Sequence, residues 1–86
     1  MDINELIAIV KKKLENEINI NDIKIEDKSF LHKNHPGNQH GKYHLKISVQ
    51  SDELKKMSKL DSNKKVYKIL SDEIKEFIHS LQILIT

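Results

Sequence analysis

The chain is 86 residues long, has a net charge of +2 from fifteen basic and thirteen acidic residues, and contains no cysteine. That length predicts a single domain with a thin core, because so small a domain buries only about 60–65% of its unfolded surface. Without cysteine, disulfides, thiolate catalysis and four-cysteine metal sites are excluded, so a bound metal must use histidine, carboxylate or ligands lent by another molecule.

All the basic residues are lysine. Lysine is a flexible point charge without the planar fork that reads guanine or phosphate at two points, which weighs against sequence-specific DNA reading. No apolar run approaches the roughly 18–20 residues needed to span a bilayer. The first stretch carries Asp2, Glu5, Glu15 and Glu17 and reads neither as a secretion signal nor as a transit peptide. Unless a leader has been removed, the implied compartment is the cytoplasm, or the nucleus.

Asp2 or Asn4 can cap a first helix, because a short side-chain oxygen accepts a free amide proton there. Ile3, Leu6, Ile7, Val10 and Leu14 share one stripe of that helix. Lys11, Lys12 and Lys13 fall near its expected C-terminal end, where cations suit the dipole. They read as a helix-end feature in preference to a nucleic-acid patch. From Ile20 to Glu26 the residues alternate, with Ile23 and Ile25 on one face, which predicts a half-buried strand.

His32 to His44 reads HKNHPGNQHGKYH and holds four of the five histidines, both glycines and the only proline. Glycine and proline break regular structure, so this is a loop to about Lys42. So many imidazoles in one loop have two readings that composition leaves open: metal or cofactor ligation, or a solvated polar loop. From Lys42 to Gln50, Tyr43, Leu45, Ile47 and Val49 face one way and Lys42, His44, Lys46, Ser48 and Gln50 the other. This predicts a second strand, paired antiparallel with the first through the histidine loop. His44 falls on the polar face and reads as a solvent-facing histidine.

Ser51 can cap a short helical turn that opens with Asp52 and Glu53 and turns Leu54 and Met57 inward. Asp61 or Ser62 can cap a long helix, from about residue 63 to residue 78. Val66, Ile69, Leu70, Ile74, Phe77 and Ile78 form its stripe, and Glu73 is the one polar residue on it. His79 follows directly, where a cationic imidazole would suit the last carbonyls as a C-cap. Leu81, Ile83 and Ile85 then alternate as a last strand. The order is helix, strand, strand, short helix, helix, strand. It predicts an α+β fold with helices on one face of a three-stranded sheet. A right-handed crossover through the long helix would make strands two and three parallel and the sheet mixed.

Several pieces of the chain match one family pattern in order. Asp27-Lys28-Ser29-Phe30-Leu31-His32 matches a strand ending Asp-Glu-Ser, two residues, then His, and His35 stands where some members add a second histidine. His44-Leu45 stands at a His-Phe pair that opens strand two. Val49-Gln50-Ser51-Asp52-Glu53-Leu54 matches Val-Ser, two residues, Phe, with one residue added and Leu for Phe. Val66 to Ile74, then Ile78-His79-Ser80-Leu81, match the closing helix and its Ile-His-Ala-Leu-like junction. Together they resemble the BolA family over essentially the whole length, from Leu6 to Ile85. The family's Arg-His-Arg at the start of the long helix is here Ser62-Asn63-Lys64, and the Gly before it is absent, with Lys56 near its place.

The resemblance implies a fold like the type II KH domain. It also implies a partner, because many members pair with monothiol glutaredoxins and share a [2Fe–2S] cluster. The glutaredoxin gives a cysteine and recruits glutathione. By motif, this chain's ligands are His79 and His32, with His35 and His40 as substitutes. No cofactor is expected in the isolated protein, which alone is expected to be a monomer or a weak homodimer. The lack of cysteine agrees, since this chain could not hold a thiolate-ligated cluster by itself.

The competing reading is nucleic-acid binding or transcription regulation. Lys55, Lys56, Lys59, Lys64, Lys65 and Lys68 face a single acid, Asp61, within their segment, and could contact phosphates. A KH domain clamps its strand with Gly-x-x-Gly, which this chain lacks between its helices. Aromatics for stacking are confined to Phe30, Tyr43, Tyr67 and Phe77. Weak, salt-sensitive binding is expected at most, and the same lysines suit the acidic face of a protein partner. Catalysis by His32 or His44 with Asp27 would need a pocket and an activated nucleophile. Nothing activates Ser29, so the chain does not read as an enzyme.

Overall fold

The computed structural model describes residues 1–29 and 42–86. The loop histidines His32, His35 and His40 lie outside the described residues.

Helix α1 spans Ile3–Glu17, and Asp2 caps it by accepting the Glu5 amide proton on Oδ1 at 2.8 Å. Leu6, Val10 and Leu14 of the expected stripe are buried. Burying such a side chain stabilises the fold by about 1.5–3 kcal/mol relative to leaving it in water. The helix runs on to Glu17, its last turn holds no base, and Lys11–Lys13 lie in mid-helix. The helix-end reading of these lysines is therefore wrong. No residue from Glu15 to Glu17 breaks a helix, and Leu14 still reaches the core, so the chain stays helical until extended Ile18. Lys13 instead donates to both carboxylate oxygens of Glu73, at 2.7 and 3.0 Å.

The strands are β1 (Asp22–Asp27, starting two residues later than predicted), β2 (Tyr43–Gln50) and β3 (Ile78–Ile85). β2 is central, antiparallel to β1 and parallel to β3. Ile25 and Ile83 both pair with Ile47, and Ile23 and Ile85 both pair with Val49. Paired residues share a face, so the three apolar rows merge into one. Leu45, Ile47 and Val49 are buried there with Leu6, Val10, Leu14, Leu54, Val66 and Leu70. The α+β class, the mixed three-stranded sheet and the parallel crossover are as the sequence predicts.

Helix α2 spans Asp52–Lys55. Its cap, Ser51, is fully buried. The Ser51 hydroxyl accepts the Leu54 amide proton at 3.2 Å and donates to the Asn19 carbonyl at 2.7 Å. One side chain thus closes a helix and pins the turn before β1.

The single long helix expected over 63–78 is two helices, α3 (Lys59–Ile69) and α4 (Ser71–Glu76). The cap is Ser58, which accepts from the Asp61 amide at 3.0 Å, and Ser62 is buried inside the helix. Between the helices, Leu70 takes φ −97°, ψ 16°, in the sparsely allowed bridge region. The Leu70 and Ile74 amides still bond to the Val66 and Leu70 carbonyls, so the apolar stripe continues through the bend. Phe77 then leaves helical geometry, and Ile78 already belongs to β3.

Ser51→Ala would strip the Leu54 amide and the Asn19 carbonyl of a shared partner. It is expected to cost about 2 kcal/mol, combining a lost cap with a lost buried hydrogen bond. Urea unfolding should show a lower midpoint at an unchanged slope.

Candidate functional site

The site begins with a miscount between two strands. Tyr43 pairs with Ile78, but the next residue, His44, pairs with Ser80. One step along β2 takes two along β3, and His79 is the extra residue. Such a bulge bends its strand and re-aims side chains. Ile78 is buried, and Leu81 lies opposite Leu45 on the core side. His79 and Ser80 between them are both exposed. Strict alternation would send them to opposite faces; the bulge puts them side by side on the outer one.

His44 shares that outer face. Its Nδ1 is hydrogen-bonded to the Ser80 hydroxyl at 2.6 Å. Its ring meets the His79 ring edge-on, with centroids 4.9 Å apart and planes at 67°. That is a favourable aromatic arrangement. His44 is only 5% exposed, so the solvent-facing reading from alternation is wrong. Its backbone is also held. The His44 amide donates to the Ser29 hydroxyl at 3.1 Å, and its carbonyl accepts from the Lys28 amide at 2.7 Å. Ser29 is itself held, its amide donating to Asp27 Oδ1 at 2.9 Å. The chain leaving β1 flanks one side of His44 and His79 the other.

His79 is not a helix cap. It is the second residue of β3, and the C-cap of α4 is Phe77. The Phe77 carbonyl accepts the Tyr43 amide proton at 2.9 Å, and its own amide donates to the Glu73 carbonyl at 2.8 Å. This pair of bonds fixes where helix gives way to strand.

Asp27 pairs with Leu45, and Leu45 with Leu81. The end of β1 and the starts of β2 and β3 therefore lie at one end of the sheet, and Lys28 and Ser29 lead out from that end. Among the described residues, no group of three His, Asp or Glu side chains could hold a metal ion. What they offer is one exposed imidazole, His79, backed by a buried one. That donor set fits a ligand contributed to a jointly held metal, and it does not make a complete site. Sequence reasoning missed His44 and Ser80. The available signal was the consecutive polar pair His79-Ser80, which sets Ile78 and Leu81 three apart where alternation needs two.

The lysines of the 55–68 segment do not all act as free charges. Lys65 donates to Glu53 Oε2 at 2.6 Å, and Glu53 also accepts the Asn19 amide proton at 3.1 Å. The Lys65 ammonium, and after it the Asn19 amide, hold the Glu53 carboxyl below its ordinary value. Lys13 is likewise held above its ordinary value, chiefly by its bond to Glu73. Lys55, Lys56, Lys59, Lys64 and Lys68 are exposed. Lys68 lines a groove between α1 and α3, together with Lys13, Asn16 and Glu17. Lys55 and Lys59 line another, against the end of β3. The six lysines thus do not line one groove, and Lys65 is neutralised by Glu53.

The sequence pattern of BolA-like proteins matches residues 14–86, and the chain belongs to the BolA family. It is 27% identical over 73 residues to the DNA-binding transcriptional regulator BolA of Haemophilus influenzae, covering 85% of this chain and 68% of that protein. It is 28% identical over 79 residues to the chloroplastic/mitochondrial SufE-like protein 1 of Arabidopsis thaliana, covering 86% of this chain but only 21% of that protein's length. The solved BolA domain of SufE1 from Arabidopsis thaliana superposes with a TM-score of 0.76 at 26% identity, over 92% of this chain and 87% of that domain.

Two outcomes follow from the charges. Because the Glu53 carboxyl is lowered, the stability it lends is present above its ordinary value of 4.5 and is lost as pH falls through the depressed one. Lys65→Met should move the Glu53 titration upward in carbon-13 NMR, and no movement would mean the pair is not formed in solution. Titration with labelled DNA and RNA should give weak binding that falls steeply with salt and does not depend on sequence. Selective binding that survives physiological salt would contradict the partly neutralised surface.

Proposed function

We propose that the chain is an adaptor that pairs with a monothiol glutaredoxin and contributes His79 to a shared [2Fe–2S] cluster. It would serve iron–sulfur cluster assembly, trafficking or iron regulation in the cytoplasm or nucleus. The observation that carries this reading is the exposed His79 imidazole, turned outward by a bulge and backed by His44. Membership of the BolA family supports it, as does the resemblance of Ile78-His79-Ser80-Leu81 to the family's histidine junction.

The chain's own part is to present a nitrogen donor where a partner can reach it without unfolding anything. A second donor comes from the histidine loop, His32 first, with His35 or His40 as substitutes. The thiolates come from the partner and glutathione, since this chain has none. Histidine in place of cysteine on iron changes the cluster's net charge and raises its potential. The exposed lysines on α2 and α3 suit an acidic face of that partner.

A second reading is DNA binding, favoured by the name of the Haemophilus influenzae relative. The pairing of Lys65 with Glu53, and the absence of a Gly-x-x-Gly clamp between the helices, make it the weaker one.

Mixing the protein with a monothiol glutaredoxin, iron, sulfide and glutathione should give a visible spectrum distinct from the glutaredoxin's own. His79→Ala should abolish that spectrum while the apo-protein stays folded, because an exposed strand residue contributes little packing. His32→Ala should weaken it less, since other loop histidines can substitute. An unchanged heterodimer spectrum in His79→Ala would remove His79 from the ligand set.

A further inference from the structure

We propose that His44 and Ser80 are positioning residues that fix the direction of the His79 imidazole before any metal reaches it. This rests on the reading of His79 as a ligand.

An exposed histidine ordinarily samples several rotamers, and a ligand that must be found among rotamers is a weak one. His79 is exposed, yet its ring lies against a group that cannot move freely. The His44 backbone is tied on both sides, through its amide to Ser29 and through its carbonyl to Lys28. His44 is 5% exposed as a whole residue, and its ring is tied to the Ser80 hydroxyl. The bulge makes Ser80 and His79 neighbours on one face, so the same His44 ring meets both. A polar ring at a buried strand position is costly unless it is hydrogen-bonded. A leucine there would bury more favourably, so packing alone does not account for His44. Its ring makes two contacts along β3: the hydroxyl sets the plane of the His44 ring, and that ring limits the rotamers of His79.

The relation is that of an outer-shell partner to a metal ligand, whose loss typically weakens metal affinity about 10–100-fold. Here the partner acts through ring packing.

The test is made first on the apo-protein, where no cluster is needed. Side-chain three-bond couplings and ring shifts of His79, measured by NMR on labelled protein, should report one dominant rotamer. Ser80→Ala and His44→Leu should average those couplings while the amide spectrum stays dispersed. Ser80→Thr, which keeps the hydroxyl and suits a strand, should restore them. If His44→Leu does not fold, the Ala and Thr variants of exposed Ser80 decide the matter. In the heterodimer with a monothiol glutaredoxin, Ser80→Ala should weaken cluster retention about 10–100-fold, and Ser80→Thr should not. Wild-type His79 couplings in both Ser80→Ala and His44→Leu would overturn the proposal. Averaged couplings in these variants, with an intact heterodimer spectrum in His79→Ala, would instead overturn the ligand reading and leave the positioning in place.

Discussion

Parallel strands advance one residue against one residue, and at the start of β3 that count fails. The rest of the site depends on this failure. Without the extra residue, the phase of β3 from Leu81 onward would leave His79 on the core side, among Leu45 and Tyr43. A one-residue slip turns every side chain to the other face, so the bulge lets a core-facing Ile78 and a core-facing Leu81 coexist with two outward polar residues. It is held from both directions. Upstream, the Phe77 carbonyl receives the Tyr43 amide; downstream, the Tyr67 hydroxyl donates to the Leu81 carbonyl at 3.1 Å.

The Lys13–Glu73 pair supports the same region from farther away. Glu73 is only 7% exposed and sits on the stripe that α4 presents to the core. A carboxylate there needs a cation, and mid-helix Lys13 on α1 supplies it. A part-buried pair of this kind is weak evidence for net stability, because desolvation offsets much of the attraction. Its effect is geometric. It sets α4 against α1, and the Glu73 carbonyl holds the Phe77 amide where β3 begins.

Periodicity made most of the fold legible. The stripe of α1, the alternation of β2 and the crossover to β3 all rest on runs long enough to choose between helix and strand. The break between α3 and α4 was not legible, because no glycine or proline marks it and Leu70, at the bend, continues the apolar stripe. The role of Lys11–Lys13 was misread for another reason: a lysine run near a helix end suggests a dipole partner, and nothing local showed that Glu73, 60 residues on, would take Lys13. At the site, His79 was visible through its motif, but its strand setting was not. His44 was misread because alternation predicts a face and says nothing of what covers it. The β1–β2 pairing brings Lys28 and Ser29 beside the His44 backbone, and the bulge brings His79 and Ser80 against its ring. The standing of His32, His35 and His40 rests on the motif.

The bond between His44 and Ser80 joins residues 36 positions apart, and Lys13 and Glu73 are 60 apart. Contacts of such separation are non-local, and they last only while the elements that carry them stay packed together. The paired imidazoles therefore exist only where β2 and β3 are paired. A chain in which β3 has come away carries His79 as a lone side chain on an unpaired strand. Occupancy of the site then reads out whether β3 is in place, and whatever binds there favours the paired form by mass action.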